Sequence, residues 1–199
     1  MAPLTRGLDL LESAVSYGLA GAGLVTPELL ARPTPCRGWD VEMLLHHVGD
    51  SIETLNEAIA TGQIDLGYPR FRGRPETDAL TVLRGRAARL LESCAAVGAA
   101  DRTAAIGGRE LSRRKVALAG AIELTIHGWD IRAACSAFRP IPPLLACILL
   151  QVAPLIVTPG ARPGLFADAI QLPGPALQSD QLVAFLGRQP HWTATPHTA

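Results

Sequence analysis

The chain has 199 residues, 48% of them hydrophobic, which suffices for one well-formed core and excludes a disordered polymer. Eighteen basic and 18 acidic residues give a formal net charge of zero, so nothing is in excess to neutralise phosphates, and nucleic acid is excluded as an expected partner. Four cysteines (Cys36, Cys94, Cys135, Cys147) show no CxxC spacing, which reads as reduced thiols in a cytoplasmic protein.

The first residues hold Arg6 and Asp9 and no long apolar run, so no secretory signal is expected. Apolar spacing through Leu8, Leu11, Val15 and Leu19 predicts a helix over 8–24, its end blurred by Gly18, Gly21 and Gly23. A second helix is predicted from Val41, Leu45, Val48, Ile52, Leu55 and Ile59, stopping at Gly62. A third covers 76–97, with Leu80, Leu83, Ala87, Leu90, Leu91 and Cys94 on its apolar side. Thr103 to Gly107 can begin a small hairpin. The fourth helix spans 113–134 through Val116, Ala119, Ile122 and Ile126. Residues 143–152 form a fifth, and 177–186 a short last one. The longest apolar stretch, 144–156, is broken by Gln151 and Pro154 and is too short to span a bilayer. Four long amphipathic helices with few strand signals predict an all-α four-helix bundle with extra C-terminal helices, occupying 1–192, followed by a flexible tail over 193–199.

Candidate chemistry centres on the few histidines. Glu123 and His127 form an E-x-x-x-H pair, and at roughly 100° per residue both project from one helical stripe. Val116, Asp130 and Ala134 share that stripe, so the pair faces the core. A carboxylate there requires a compensating cation, either a divalent metal or an arginine from a neighbouring helix. On the second helix, His46 falls roughly 140° from the apolar stripe, among Glu42, Asp50 and Glu53, on what reads as the solvated side. His47 lies roughly 120° off in the other direction, flanked by Leu44, Ser51 and Ala58, and is the better inward histidine. Two imidazoles and one carboxylate (His47, Glu123, His127) match the ligand set of catalytic zinc sites, which keep one position for water or substrate. The set also suits iron, nickel or manganese.

At this point the chain becomes recognisable. Thr34-Pro35-Cys36-Arg37-Gly38-Trp39-Asp40-Val41, followed by Leu44-Leu45-His46-His47, resembles the opening signature of the mycothiol-dependent maleylpyruvate isomerase N-terminal family, part of the DinB-like superfamily. Glu123-Leu124-Thr125-Ile126-His127-Gly128-Trp129-Asp130 resembles its second signature. Leu186-Gly187-Arg188-Gln189-Pro190-His191-Trp192 looks like the ending of a single-domain actinobacterial branch. The resemblance implies a DinB-like bundle with one divalent metal held by His47, Glu123 and His127. Arg37 stands where the family often has Pro, a departure compatible with a changed substrate. No stretch resembles the second domain of the longer isomerases.

The expected function is that of a divalent-metal-dependent enzyme acting on a small organic substrate, with a mycothiol-type thiol as cosubstrate in S-transfer or isomerisation. Zinc is the first expectation for the metal. The alternatives are a thiol-independent tailoring enzyme of secondary metabolism (cyclase, hydrolase or lyase) and a metal-binding protein without catalysis. Arg70, Arg72, Arg74, Arg113 and Arg114 are candidate carboxylate clamps for thiol or substrate. Cys36, Trp39 and Trp129 read as packing residues of the two signatures. A homodimer is compatible with the sequence.

Overall fold

A computed structural model describes residues 3–64, 79–97, 103–106 and 109–194. Four long helices, α1 (Pro3–Ala22), α2 (Val41–Thr61), α3 (Ala79–Val97) and α4 (Arg113–Ala134), pack in the cyclic order α1, α4, α2, α3. The protein is an all-α bundle with extra C-terminal helices, as expected. Two further helices, α5 (Pro143–Ile156) and α6 (Gln178–Phe185), pack on each other, and α5 leans on α4. No described helix is long and apolar enough to cross a membrane, and the four cysteines are free.

Local chemistry sets the ends of the two helices that carry the candidate residues. Asp40 caps α2, its Oδ1 accepting from Met43 N at 2.8 Å, and Gly62 closes the helix at φ 75°, a left-handed turn that glycine adopts without strain. Ser112 caps α4 through Lys115 N. A small sheet ties these two ends together. β1 (Gln63–Ile64) runs parallel to β2 (Thr103–Ile106), and β2 pairs antiparallel with β3 (Arg109–Ser112). The expected hairpin is therefore present, with a third short strand that the sequence did not suggest.

α4 is the central element, because α1, α2 and α5 each cover part of it. It is buried on nearly every side, from Val116 through Ala134, which explains why a one-sided apolar stripe describes it poorly. Its seam with α1 is made by glycines. A Cβ on Gly128 would lie 2.9 Å from Gly18 Cα, and one on Gly21 would lie 2.9 Å from Gly128 O. Two of the glycines that blur the predicted end of α1, Gly18 and Gly21, are thus its contact surface, and the helix continues through them to Ala22, with Gly23 just beyond it. Arg132 locks the same seam by donating to Tyr17 O at 2.8 Å, with its guanidinium 4.0 Å above the Tyr17 ring.

Two other expectations change. The Asp50 and Glu53 side of α2 faces α3 rather than solvent: Arg86 pairs with both carboxylates, at 3.1 and 3.5 Å, and Arg89 with Glu53 at 3.1 Å. A charged stripe looks solvated from one helix alone, because its counter-charges belong to another. α5 runs one turn beyond its predicted end, passing Pro154 on the exposed side, where the lost hydrogen bond falls near the helix terminus. The start of the predicted third helix (76–78) and most of the predicted tail (195–199) lie outside the described residues.

The Gly128→Ala variant should lose about 1–3 kcal/mol of stability, because the new methyl meets backbone rather than a side chain that can swing away. Urea denaturation measures it; an unchanged midpoint would contradict the close seam.

Candidate functional site

The first signature folds into a compact turn that aims two side chains at the bundle. Thr34 N donates to Trp39 O at 3.0 Å, Thr34 Oγ1 donates to the same carbonyl at 3.0 Å, and Cys36 N donates to Thr34 Oγ1 at 3.2 Å. Gly38 supplies the left-handed step at φ 82°. Cys36 and Trp39 emerge on one side of this turn, half-buried, along a cavity of about 1120 Å³ between α2, α4 and the C-terminal segment.

His47, Glu123 and His127 converge on the wall of that cavity. His47 Nε2 donates to Glu123 Oε1 at 2.6 Å, and His127 Nε2 approaches the same oxygen at 3.2 Å. Ser51 Oγ adds a weaker contact to it at 3.3 Å. Burial alone would raise the Glu123 pKa, but the two imidazoles hold it well below the usual carboxylate range. Burial would likewise depress His127, yet Glu123, together with hydrogen bonds to Asp130 and Cys36, holds it well above the usual histidine range. In this state both ring nitrogens of His127 donate to carboxylates, so an incoming cation has a proton to displace. Trp39 walls the pair, its ring 4.8 Å from that of His47 and stacked at 6.4 Å on that of His127.

Behind His127 lies a second carboxylate. Asp130 is fully buried, and its Oδ2 is 3.1 Å from His127 Nδ1. Arg188, from the turn after α6, donates to Asp130 Oδ2 at 3.2 Å and to Oδ1 at 3.4 Å. Burial would raise the Asp130 pKa, but Arg188 and His127 hold it below its ordinary value. Cys36 Sγ completes the group, donating to Asp130 Oδ2 at 3.1 Å and accepting from Arg188 Nη2 at 3.1 Å.

Two triads therefore have metal-ligand character, and they share His127: His47, Glu123 and His127 on the cavity side, and Cys36, His127 and Asp130 behind it. Electrostatics separates them. The rear triad already contains the Arg188 guanidinium within hydrogen-bond reach of two of its members, which opposes a second cation. The front triad holds no arginine or lysine among the described residues, only two imidazoles and one carboxylate. Its ligand atoms lie within 4.8 Å of one another, a donor set of two nitrogens and one carboxylate that fits a divalent ion. Asp130 then stands where a ligating histidine has its orienting partner.

Several expectations move. His46 is half-buried and belongs to neither triad. Trp129 is core, as expected, whereas Trp39 is cavity wall, because the turn places it before the helix cap instead of inside the helix. Cys36 also faces the cavity. Arg113 is buried beside Gly62 at the far end of α4 and Arg114 lies against Gly7 of α1, so neither lines the cavity. Arg70, Arg72 and Arg74 fall outside the described residues. Sequence reasoning gave Arg188 no role. Its only signal was the Leu186-Gly187-Arg188 ending, whose Gly187 at φ 82° turns the arginine inward.

Residues 11–132 match the mycothiol maleylpyruvate isomerase N-terminal domain family. The chain belongs to this family. An uncharacterized protein of Mycobacterium tuberculosis, found in strains CDC 1551 and H37Rv, is 31% identical over 167 residues, covering 82% of this chain and 87% of its own length. No solved structure matches significantly. The family match ends before α5, so Arg188 and the C-terminal cavity wall lie outside the matched residues.

The Asp130→Asn variant should bind zinc about ten- to a hundredfold more weakly, as expected for loss of a ligand-orienting carboxylate. It should also be less stable, since Arg188 is left buried without its counter-charge. Competition with a chelating indicator measures the first effect; unchanged zinc affinity would contradict the orienting role.

Proposed function

We propose that the protein is a divalent-metal-dependent enzyme that joins a low-molecular-weight thiol of the mycothiol type to a small organic substrate, by S-transfer or by addition followed by isomerisation. The observation that carries this reading is the convergence of His47, Glu123 and His127 on the wall of a large cavity, with no basic residue occupying their centre among the described residues. Membership of the mycothiol maleylpyruvate isomerase N-terminal domain family supports a thiol as the partner.

His47, Glu123 and His127 would hold the metal, with zinc the first choice for two nitrogens and one carboxylate. A divalent ion at such a centre supplies positive charge that favours the deprotonated form of a nearby thiol at neutral pH. The protein's own contribution is orientation and exclusion. Asp130 fixes the His127 ring through Nδ1 and leaves Nε2 directed at the cavity side. Ser51 steadies the Glu123 carboxylate. Trp39 stacks on the His127 ring and meets the His47 ring edge-on, walling one side of the centre. Three protein ligands leave room in the coordination shell for a small molecule, which a closed structural site would not.

The His47→Ala and His127→Ala variants should each lose stoichiometric metal, while His46→Ala keeps it. Adding a physiological thiol to cobalt-loaded wild-type protein should produce a sulfur-to-metal charge-transfer band. Retention of metal by His47→Ala would overturn the site. Absence of the band with every thiol, alongside thiol-free turnover, would move the assignment to a tailoring enzyme that uses the same metal without a thiol.

A further inference from the structure

We infer that the substrate at this site is a hydrophobic organic molecule, with an aromatic or branched alkyl body lying against Ile156, Leu165 and Phe166, and not a small dianionic acid. This deepens the functional reading above, but it rests on a different wall of the cavity. One side of the cavity is the metal-ligand cluster on α2 and α4. Another side comes from the C-terminal segment beyond the family match, and it is apolar: Ile156, Val157, Ala161, Leu165, Phe166 and Ala167.

This wall is built into the fold. Arg162, the one basic residue between Ile156 and Ala167, does not serve the cavity. It is spent on the segment itself, donating to Ala167 O at 2.6 Å and Phe185 O at 3.1 Å, with its guanidinium 5.1 Å from the Phe185 ring centre. Gly187 permits the close approach on the other side: a Cβ there would meet Ala167 O at 2.7 Å, and its φ is 82°. The segment is pinned at both ends in a shape that turns Leu165 toward the cavity rim, where it remains 72% exposed. A large apolar side chain left open beside a pocket is surface that a ligand with an apolar body would cover.

The charges along the cavity lead to the same chemistry. Asp50 is matched by Arg86, Glu123 by the two histidines, and Arg188 by Asp130. Arg37, exposed on the rim, is the one charged lining residue with no ion pair among the described residues. Apart from the proposed metal centre, a dianionic acid entering this space would give up hydration on two charges and find one solvent-exposed side-chain cation in return. A hydrophobic body gives up no charge hydration and buries apolar area against this wall. At about 1120 Å³ the cavity also has room for such a body beside a thiol cosubstrate.

The test uses N-phenyl-1-naphthylamine, an uncharged aromatic fluorophore, and maleate, a small dianion, with metal content measured on the same samples. The fluorophore should bind wild-type protein with enhanced emission. Leu165→Asp should weaken its binding about tenfold or more, the expected loss when a leucine's apolar contact is replaced by a charge. Leu144→Asp, on the exposed side of α5, should leave binding unchanged, as a control for probe adhering to other apolar surface. Maleate should not displace the fluorophore at comparable concentration. Metal content should be the same in all three proteins, so that loss of metal in the wild type sinks the functional reading without touching this one. No fluorophore binding, binding indifferent to Leu165→Asp, or displacement by maleate at equal or lower concentration would each overturn the proposal.

Discussion

A buried carboxylate organises this molecule. Asp130 has no exposed surface, and an ionised group in that position is tolerable only when charge and hydrogen bonds surround it. Its partners come from three separate parts of the chain: His127 one turn earlier on α4, Cys36 from the turn before α2, and Arg188 from beyond α6. Satisfying Asp130 therefore fixes three things at once. It orients the His127 ring, it seats the signature turn that carries Trp39, and it fastens the C-terminal segment along the cavity.

The bundle explains why these partners can meet. α4 runs through the centre of the protein with α1 on one side and α2 on another. The glycine seam of Gly18, Gly21 and Gly128 brings the α1 and α4 backbones into close contact, directly alongside His127 and Trp129. Function and packing thus share one helix turn. A substitution meant to probe the site at Gly128 would disturb the seam, whereas Leu165 and Arg37 on the rim can be altered without reaching the core.

Much of the fold was legible because helical periodicity and end signals are local. Asp40 and Gly62 bracket α2, and α4 begins and ends at the predicted residues, 113 and 134. The front triad was legible for the same reason: Glu123 and His127 are one helical turn apart, and the helical wheel separates His47 from His46. What stayed hidden depended on partners distant in sequence. Asp50 and Glu53 looked solvated until Arg86 and Arg89 were placed beside them. Arg188 lies 58 residues from Asp130, a separation that no periodicity reports. Trp39 looked like core because apolar bulk is the only property a sequence displays, and its role as cavity wall follows from a turn held by Thr34 hydrogen bonds.

The account as a whole turns on which of the two triads sharing His127 receives a cation. The Arg188 guanidinium beside Cys36 and Asp130 balances charge in the rear triad and opposes a cation there, which favours the front triad as the proposed metal site. Anomalous diffraction at the zinc edge, from crystals of zinc-loaded protein, reads this directly. The account predicts one strong peak among His47, Glu123 and His127, with Asp130 still hydrogen-bonded to His127 Nδ1. A peak between Cys36 and Asp130 with Arg188 displaced, or no ordered zinc near His127, would contradict it.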